Sequence, residues 1–161
     1  MSRVEKNKNL NNNTDLNGSS LKISIVVSQW NSQITDSLYK ASFSKLKKLG
    51  VKTENINRIN VFGSFELIFG CKVAIKSNPN SIIAIGSLIK GETKHFDFIS
   101  NAVTNGIKDL NILFDIPIIF SVLTDNNIDQ AISRSGGKYG NKGEEAAIAA
   151  VEMALLNNKK V

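Results

Sequence analysis

His95 is the only histidine in the chain. It stands in the stretch LIKGETKHFDF, just after Gly91, Glu92, Thr93 and two lysines. Imidazole takes up and releases protons near neutral pH, which suits it to general acid–base work. Glycine lets backbone amides come close to a ligand, and free amides at the start of a helix favour an anion such as phosphate. Gly91, Glu92 and Thr93 have the composition of such a turn. Lys90 and Arg134 could add positive charge, Arg134 in bidentate fashion. A proton carrier beside an anion cradle is the chemistry this spacing offers, against the blander role of a surface histidine.

Other segments bring different tools. Trp30, the only tryptophan, lies just past a strand-like run and is followed by the polar Asn31, Ser32 and Gln33. A flat indole facing a cleft suits stacking on a planar heterocycle, and a core position is the competing reading. Gly63, Ser64, Phe65 and Glu66 form a turn entering a helix, where backbone amides can meet a ring carbonyl. Glu66 is either an acid favoured by the helix dipole or an acceptor for hydroxyls. RSGGKYGNKGEE is either a tight connector between helices or a loop holding Arg134, Lys138 and Lys142 near an anion. It lacks the lysine–serine or lysine–threonine pair of a phosphate-binding P-loop, and G-x-G-x-x-G is absent after every strand. One His and one Cys cannot build a usual zinc site, so no metal is expected.

The elements that must position these residues alternate. LKISIVVSQW is a β-branched strand. Asn31 or Ser32 can cap a helix whose Ile34, Leu38, Ala41 and Leu49 recur at helical spacing, with Gly50 as its stop. A weaker strand follows near 51–61, spoiled by Asn and Arg. GSFELIFGCKVAIK reads as a second helix with Ser64 as cap. Pro79 breaks the chain before the apolar strand Ser81 to Ile89. A third helix covers roughly His95 to Leu113. IPIIFSVLT is a fourth strand, apolar enough for burial on both faces. Thr124 or Asp125 caps a short helix ending near Arg134, and an Ala-rich helix runs from about Gly143 to Asn157. Strands separated by helices of this length pair in parallel through right-handed crossovers. The expected fold is α/β, a three-layer αβα sandwich around a four-stranded parallel sheet.

Composition sets the outer limits. The chain has 161 residues, 42% of them hydrophobic, enough for one sizeable core. Residues 1–20 are Asn-rich and nearly free of core formers, which predicts a disordered tail ahead of one domain at 21–161. A single cysteine, Cys71, and no apolar leader point to a reducing, cytoplasmic setting rather than secretion. No apolar run is long enough for a membrane span. The net charge of +6 is spread over scattered lysines with few aromatics, which favours a small anionic substrate over nucleic acid.

SQWN, GSFEL, IKGETKHFDFIS, IPIIFSVLT and AISRSGGKYGNKGEEAAIAAVEMA follow one another in an order that resembles the lumazine synthase family of riboflavin biosynthesis. The resemblance runs from about Leu21 to Leu156. It implies a flavodoxin-like fold and a cofactor-free transferase. That enzyme joins 5-amino-6-(D-ribitylamino)uracil to 3,4-dihydroxy-2-butanone 4-phosphate, giving 6,7-dimethyl-8-ribityllumazine, phosphate and water. By the same resemblance Trp30 would stack on the pyrimidine. Ser64, Phe65 and Glu66 would hold the pyrimidine and ribityl chain, and Leu88 and Ile89 would offer backbone contacts to the ring. Gly91, Glu92 and Thr93 would cradle the phosphate, with Arg134 reaching in from a neighbouring subunit beside Phe120. His95 would move protons and Lys142 would line the pocket. The implied assembly is a homo-oligomer, a pentamer at least, and the short Gly-rich connector is compatible with an icosahedral shell of pentamers. Riboflavin synthase is the implied protein partner.

Two positions depart from the family pattern, which usually has proline where Phe62 and Ile68 stand. Three other readings compete. An archaeal-type riboflavin synthase is disfavoured by a phosphate cradle running straight into Thr93 and His95. A flavodoxin-like electron carrier would need a Ser/Thr-rich phosphate loop after the first strand, and SQWNSQI is a poor version. The third is an inactive shell or flavin-binding relative.

Overall fold

Ile23–Ser28 (β1), Ile56–Val61 (β2), Ser81–Ile89 (β3) and Ile118–Asp125 (β4) pair in parallel in the order β2-β1-β3-β4. The computed structural model describes residues 16–158. Most of the expected tail therefore lies outside the described residues. The chain ahead of Leu21 already touches the core, since Gly18 donates its amide to the Leu49 carbonyl at 2.7 Å and Leu16 packs against buried side chains.

Period-two alternation sorts the two central strands onto two cores, although both read as continuous apolar runs. Ile23, Ile25 and Val27 of β1, with Ile83 and Ile85 of β3, pack with Leu38, Leu46, Ala147, Ala150 and Val151. Val26, Ile82 and Ala84 pack instead with Leu67, Cys71, Val103 and Ile107. The first set meets helices Ser32–Lys48 (α1) and Lys142–Asn158 (α5), and the second meets Leu67–Ile75 (α2) and His95–Leu113 (α3). This is the expected three-layer α/β sandwich. The chain steps from β1 outward to β2, then back across β1 to β3, so α1 and α2 fall on opposite faces.

Helix ends follow local chemistry. Gly50 (φ 91°) ends α1, with the Val51 amide returning to Leu46 and the Gly50 amide to Lys47, both at 3.0 Å. That pair is a Schellman stop, and the left-handed backbone explains the glycine. Other caps differ from expectation. Asn31 precedes α1 but turns its side chain away, donating Nδ2 to the Ser87 carbonyl at 2.9 Å. The residue before α2 is Glu66, not Ser64, because residues 63–66 form a separate turn. Ile128–Arg134 (α4) is capped by Asn127, whose side chain accepts from the Gln130 amide at 3.0 Å, because β4 continues through Asp125. Strand β4 lies at the sheet edge, leaving Phe120 and Thr124 exposed rather than buried on both faces. The Gly-rich connector is a small antiparallel hairpin of Ser135–Gly137 (β5) and Gly140–Asn141 (β6).

Contact between α1 and α5 is close because Gly143 lies directly on the Leu38 carbonyl and Ser42 donates its hydroxyl to the Gly143 carbonyl at 2.8 Å. A Cβ at residue 143 would overlap backbone that cannot swing aside. Gly143→Ala should therefore cost about 1–3 kcal/mol through overpacking. A denaturation midpoint equal to that of the parent protein would show that the two helices separate without penalty.

Candidate active site

The C-terminal ends of β1, β2 and β3 open into a cleft of about 570 Å³, beside the point where the strand order reverses. Parallel pairing continues past the strands at its rim, with Gln29 donating to Val61 at 2.9 Å and Trp30 to Phe62 at 3.1 Å. The same pairing sets the Trp30 and Phe62 rings 5.9 Å apart at 56°. Trp30 is 61% exposed, so the core alternative for it is excluded. Its indole lines the cleft.

The turn between β2 and α2 forms one wall. Glu66 folds its carboxylate back so that Oε2 accepts the Gly63 amide at 2.8 Å. This closes the turn at the place where Phe62 stands without a proline's fixed φ. It also uses up one amide that could have met a ring carbonyl. The Ser64 and Ser87 hydroxyls border the cleft buried and without hydrogen-bond partners, groups that a polar ligand can satisfy.

Opposite stands the start of α3. Gly91, Thr93 and His95 line the cleft, and Thr93 Oγ1 accepts the His95 amide at 3.4 Å. Lys94, the residue ahead of α3, makes no side-chain capping bond, so the long Thr93 contact is the side-chain bond to these first amides. Open space surrounds Gly91, leaving its backbone approachable. His95, Phe96 and Ile99 close the cleft, His95 and Ile99 lying one turn apart on the same helical face.

Of the residues singled out in the sequence, Trp30, Ser64, Phe65, Glu66, Leu88, Ile89, Gly91, Thr93 and His95 come together around the cleft. Glu92, Phe120, Arg134 and Lys142 do not line it within this chain. Phe120 is exposed on edge strand β4. Lys142 pairs with Glu145 at 2.7 Å in the first turn of α5. Sequence reasoning missed Ser87, Phe96 and Ile99. Ile99 carried a usable signal, its i+4 spacing from His95 on one predicted helix.

The 6,7-dimethyl-8-ribityllumazine synthase family model matches residues 20–158. The chain is 56% identical to the 6,7-dimethyl-8-ribityllumazine synthase of Christiangramia forsetii over 89% of its own length and 87% of that protein's. Against the synthase of Flavobacterium johnsoniae it is 52% identical over 96% and 83%. With that of Kosmotoga olearia it shares 43% over 88% and 92%. The chain belongs to the 6,7-dimethyl-8-ribityllumazine synthase family.

On this member of the lumazine synthase family, Arg134 is anchored behind β4 rather than free. Its Nη1 donates to the Gln130 carbonyl at 2.9 Å and lies 3.2 Å from Asp125 Oδ1, while the guanidinium stands 5.6 Å from the Tyr139 ring centre. Asp125 is buried. Burial pushes its carboxyl above the ordinary Asp range, and the Arg134 charge pulls it part of the way back. A raised folded-state pKa means that Asp125 stabilises the fold most while protonated, below its ordinary value of 3.8, and loses that contribution as pH rises through the raised value. Melting the parent protein beside Asp125→Asn across that range should show the parent losing ground as pH increases. A parent that gains on the variant with rising pH would contradict this assignment.

Proposed function

We infer that the chain condenses 5-amino-6-(D-ribitylamino)uracil with 3,4-dihydroxy-2-butanone 4-phosphate, giving 6,7-dimethyl-8-ribityllumazine, phosphate and water. The observation that carries this is one cleft shared by an exposed indole, the start of α3 and the chain's single histidine, in a chain of this family. Trp30 stacks on the pyrimidine. Ser64 and Glu66 take its polar groups and the ribityl hydroxyls, with Phe65 against the chain and Leu88 and Ile89 offering backbone contacts. Glu66 keeps Oε1 for this task, since Oε2 is held by Gly63. Gly91, Glu92 and Thr93 receive the phosphate at the start of α3, where free amides and the helix dipole favour an anion.

His95 moves protons between the amine, the ketone and the departing phosphate. The amine adds to the ketone carbonyl and water leaves. Phosphate is then eliminated, and attack of the ribitylamino nitrogen on the remaining carbonyl closes the ring with loss of a second water. Each step shifts a proton, and the leaving group sits beside the imidazole, so one residue can serve them all.

Phe120, Arg134 and Lys142 lie away from the cleft of their own chain, which supports a site completed by an adjacent subunit. Exposed apolar side chains at Phe62, Phe98, Ile112 and Leu113 support extensive contact between copies. The assembly is a pentamer, with pentamers closing into an icosahedral shell through the compact β5–β6 hairpin region. Riboflavin synthase is the partner that would consume the product, and the setting is the cytoplasm.

Mixing the protein with both substrates should release phosphate and the fluorescent lumazine together. Absence of both from an assembled, folded sample would overturn the assignment. His95→Ala should slow turnover by about 10²-fold, the low end for general acid–base groups, because this condensation also proceeds unaided. Turnover equal to the parent's would remove His95 from the mechanism. In sedimentation near neutral pH the largest species should exceed a pentamer, and a lone pentamer would sink the shell.

A further inference from the structure

Arg134 makes its hydrogen bond and its ion pair through one nitrogen, with the guanidinium 5.6 Å from the Tyr139 ring centre. Nη1 meets Asp125 Oδ1 at 3.2 Å and the Gln130 carbonyl at 2.9 Å. A guanidinium binds phosphate best through two parallel N–H groups, and Nε with Nη2 forms one such edge. That edge is left over when Nη1 alone is anchored. The anchor is itself well held. Asp125 is 4% exposed, and its backbone carbonyl accepts the Lys90 amide at 2.9 Å, just ahead of the Gly91–Thr93 turn. One residue thus touches both pieces of anion-binding equipment: the loop through its main chain and Arg134 through its side chain.

We propose that Asp125 is a positioning residue for substrate phosphate: its buried carboxylate anchors Arg134 Nη1 and thereby presents the Nε–Nη2 edge to the phosphorylated ketone. The proposal rests on the assignment of Arg134 to the phosphate. Asp125 does not touch substrate, and it acts by removing rotamer freedom from a long side chain before the anion arrives. If Arg134 serves a neighbouring subunit's cleft, Asp125 links two sites. Its carbonyl steadies the loop of its own cleft while its carboxylate steadies the arginine lent to the next.

The test is steady-state kinetics on the assembled protein with Asp125→Ala, Asp125→Asn, Arg134→Ala and the double variant Asp125→Ala/Arg134→Ala, checked for assembly by sedimentation. Asp125→Ala should raise KM for the phosphorylated ketone about tenfold, as expected when a charged hydrogen-bond anchor is lost, with KM for the pyrimidine unchanged. Asp125→Asn keeps an acceptor of the same shape and should recover part of that loss. The double variant should be no worse than Arg134→Ala, because Asp125 works through the arginine. Inorganic phosphate as a competitive inhibitor should weaken in the same order. Independent, multiplying losses in the double variant would overturn the proposal, as would equal effects on both substrates. Normal ketone KM in Asp125→Ala beside an impaired Arg134→Ala would overturn it while leaving the phosphate role of Arg134 standing. Normal ketone KM in both would overturn that role as well.

Discussion

Parallel pairing of β1 with β2 on one side and β3 on the other is the constraint from which the rest of the molecule follows. It runs from Ile23 to Ser28 against β2 and from Ile23 to Val27 against β3. Parallel neighbours bring all their C-terminal ends to one edge, and reversal of strand order at β1 lets the connecting helices diverge there. Both faces of β1 and β3 are covered, so polar groups with work to do are displaced to the strand ends. The cleft is what remains between helices that leave in opposite directions.

That opening is held in shape by a few hydrogen bonds placed where the sheet stops. Asn31 reaches across to the Ser87 carbonyl and ties the end of β1 to the end of β3. Trp30 and Phe62 continue the β1–β2 pairing for one more residue, so their rings stand together on the rim. Glu66 closes its own turn on Gly63. These contacts lie close to the ligand space, and each gives a loop the definition that the regular sheet gives its strands.

How much of this could be read in the sequence differs by the kind of signal. Ser81–Ile89 and His95–Leu113 were legible to the residue, because an apolar run after Pro79 and a long amphipathic period leave little choice. Asn31 shows the opposite case. Its type suits a cap, yet a carbonyl 56 positions away competed for its side chain, and local patterns carry no trace of that. The edge position of β4 was hidden for a related reason. An apolar strand reads the same at the centre of a sheet or at its border, and exposed Phe120 becomes visible only once strand order is known. Most of the proposed site was legible because its residues cluster at strand ends, whereas Ser87 was not, being one small residue inside an apolar run.

Cys71 lies in α2 against the underside of β1 and β3, and burial pushes its thiol up to about 12. A thiolate is the reactive form of cysteine, and at neutral pH this one is almost wholly suppressed and sterically shielded. The folded protein should therefore react slowly with maleimides, disulfide reagents and mild oxidants. A cysteine engineered at an exposed position would be the sole reactive thiol without deletion of the native one. The fold is therefore suited to single-site labelling, with a probe stoichiometry of one per chain serving as a direct report that the α2 layer is intact.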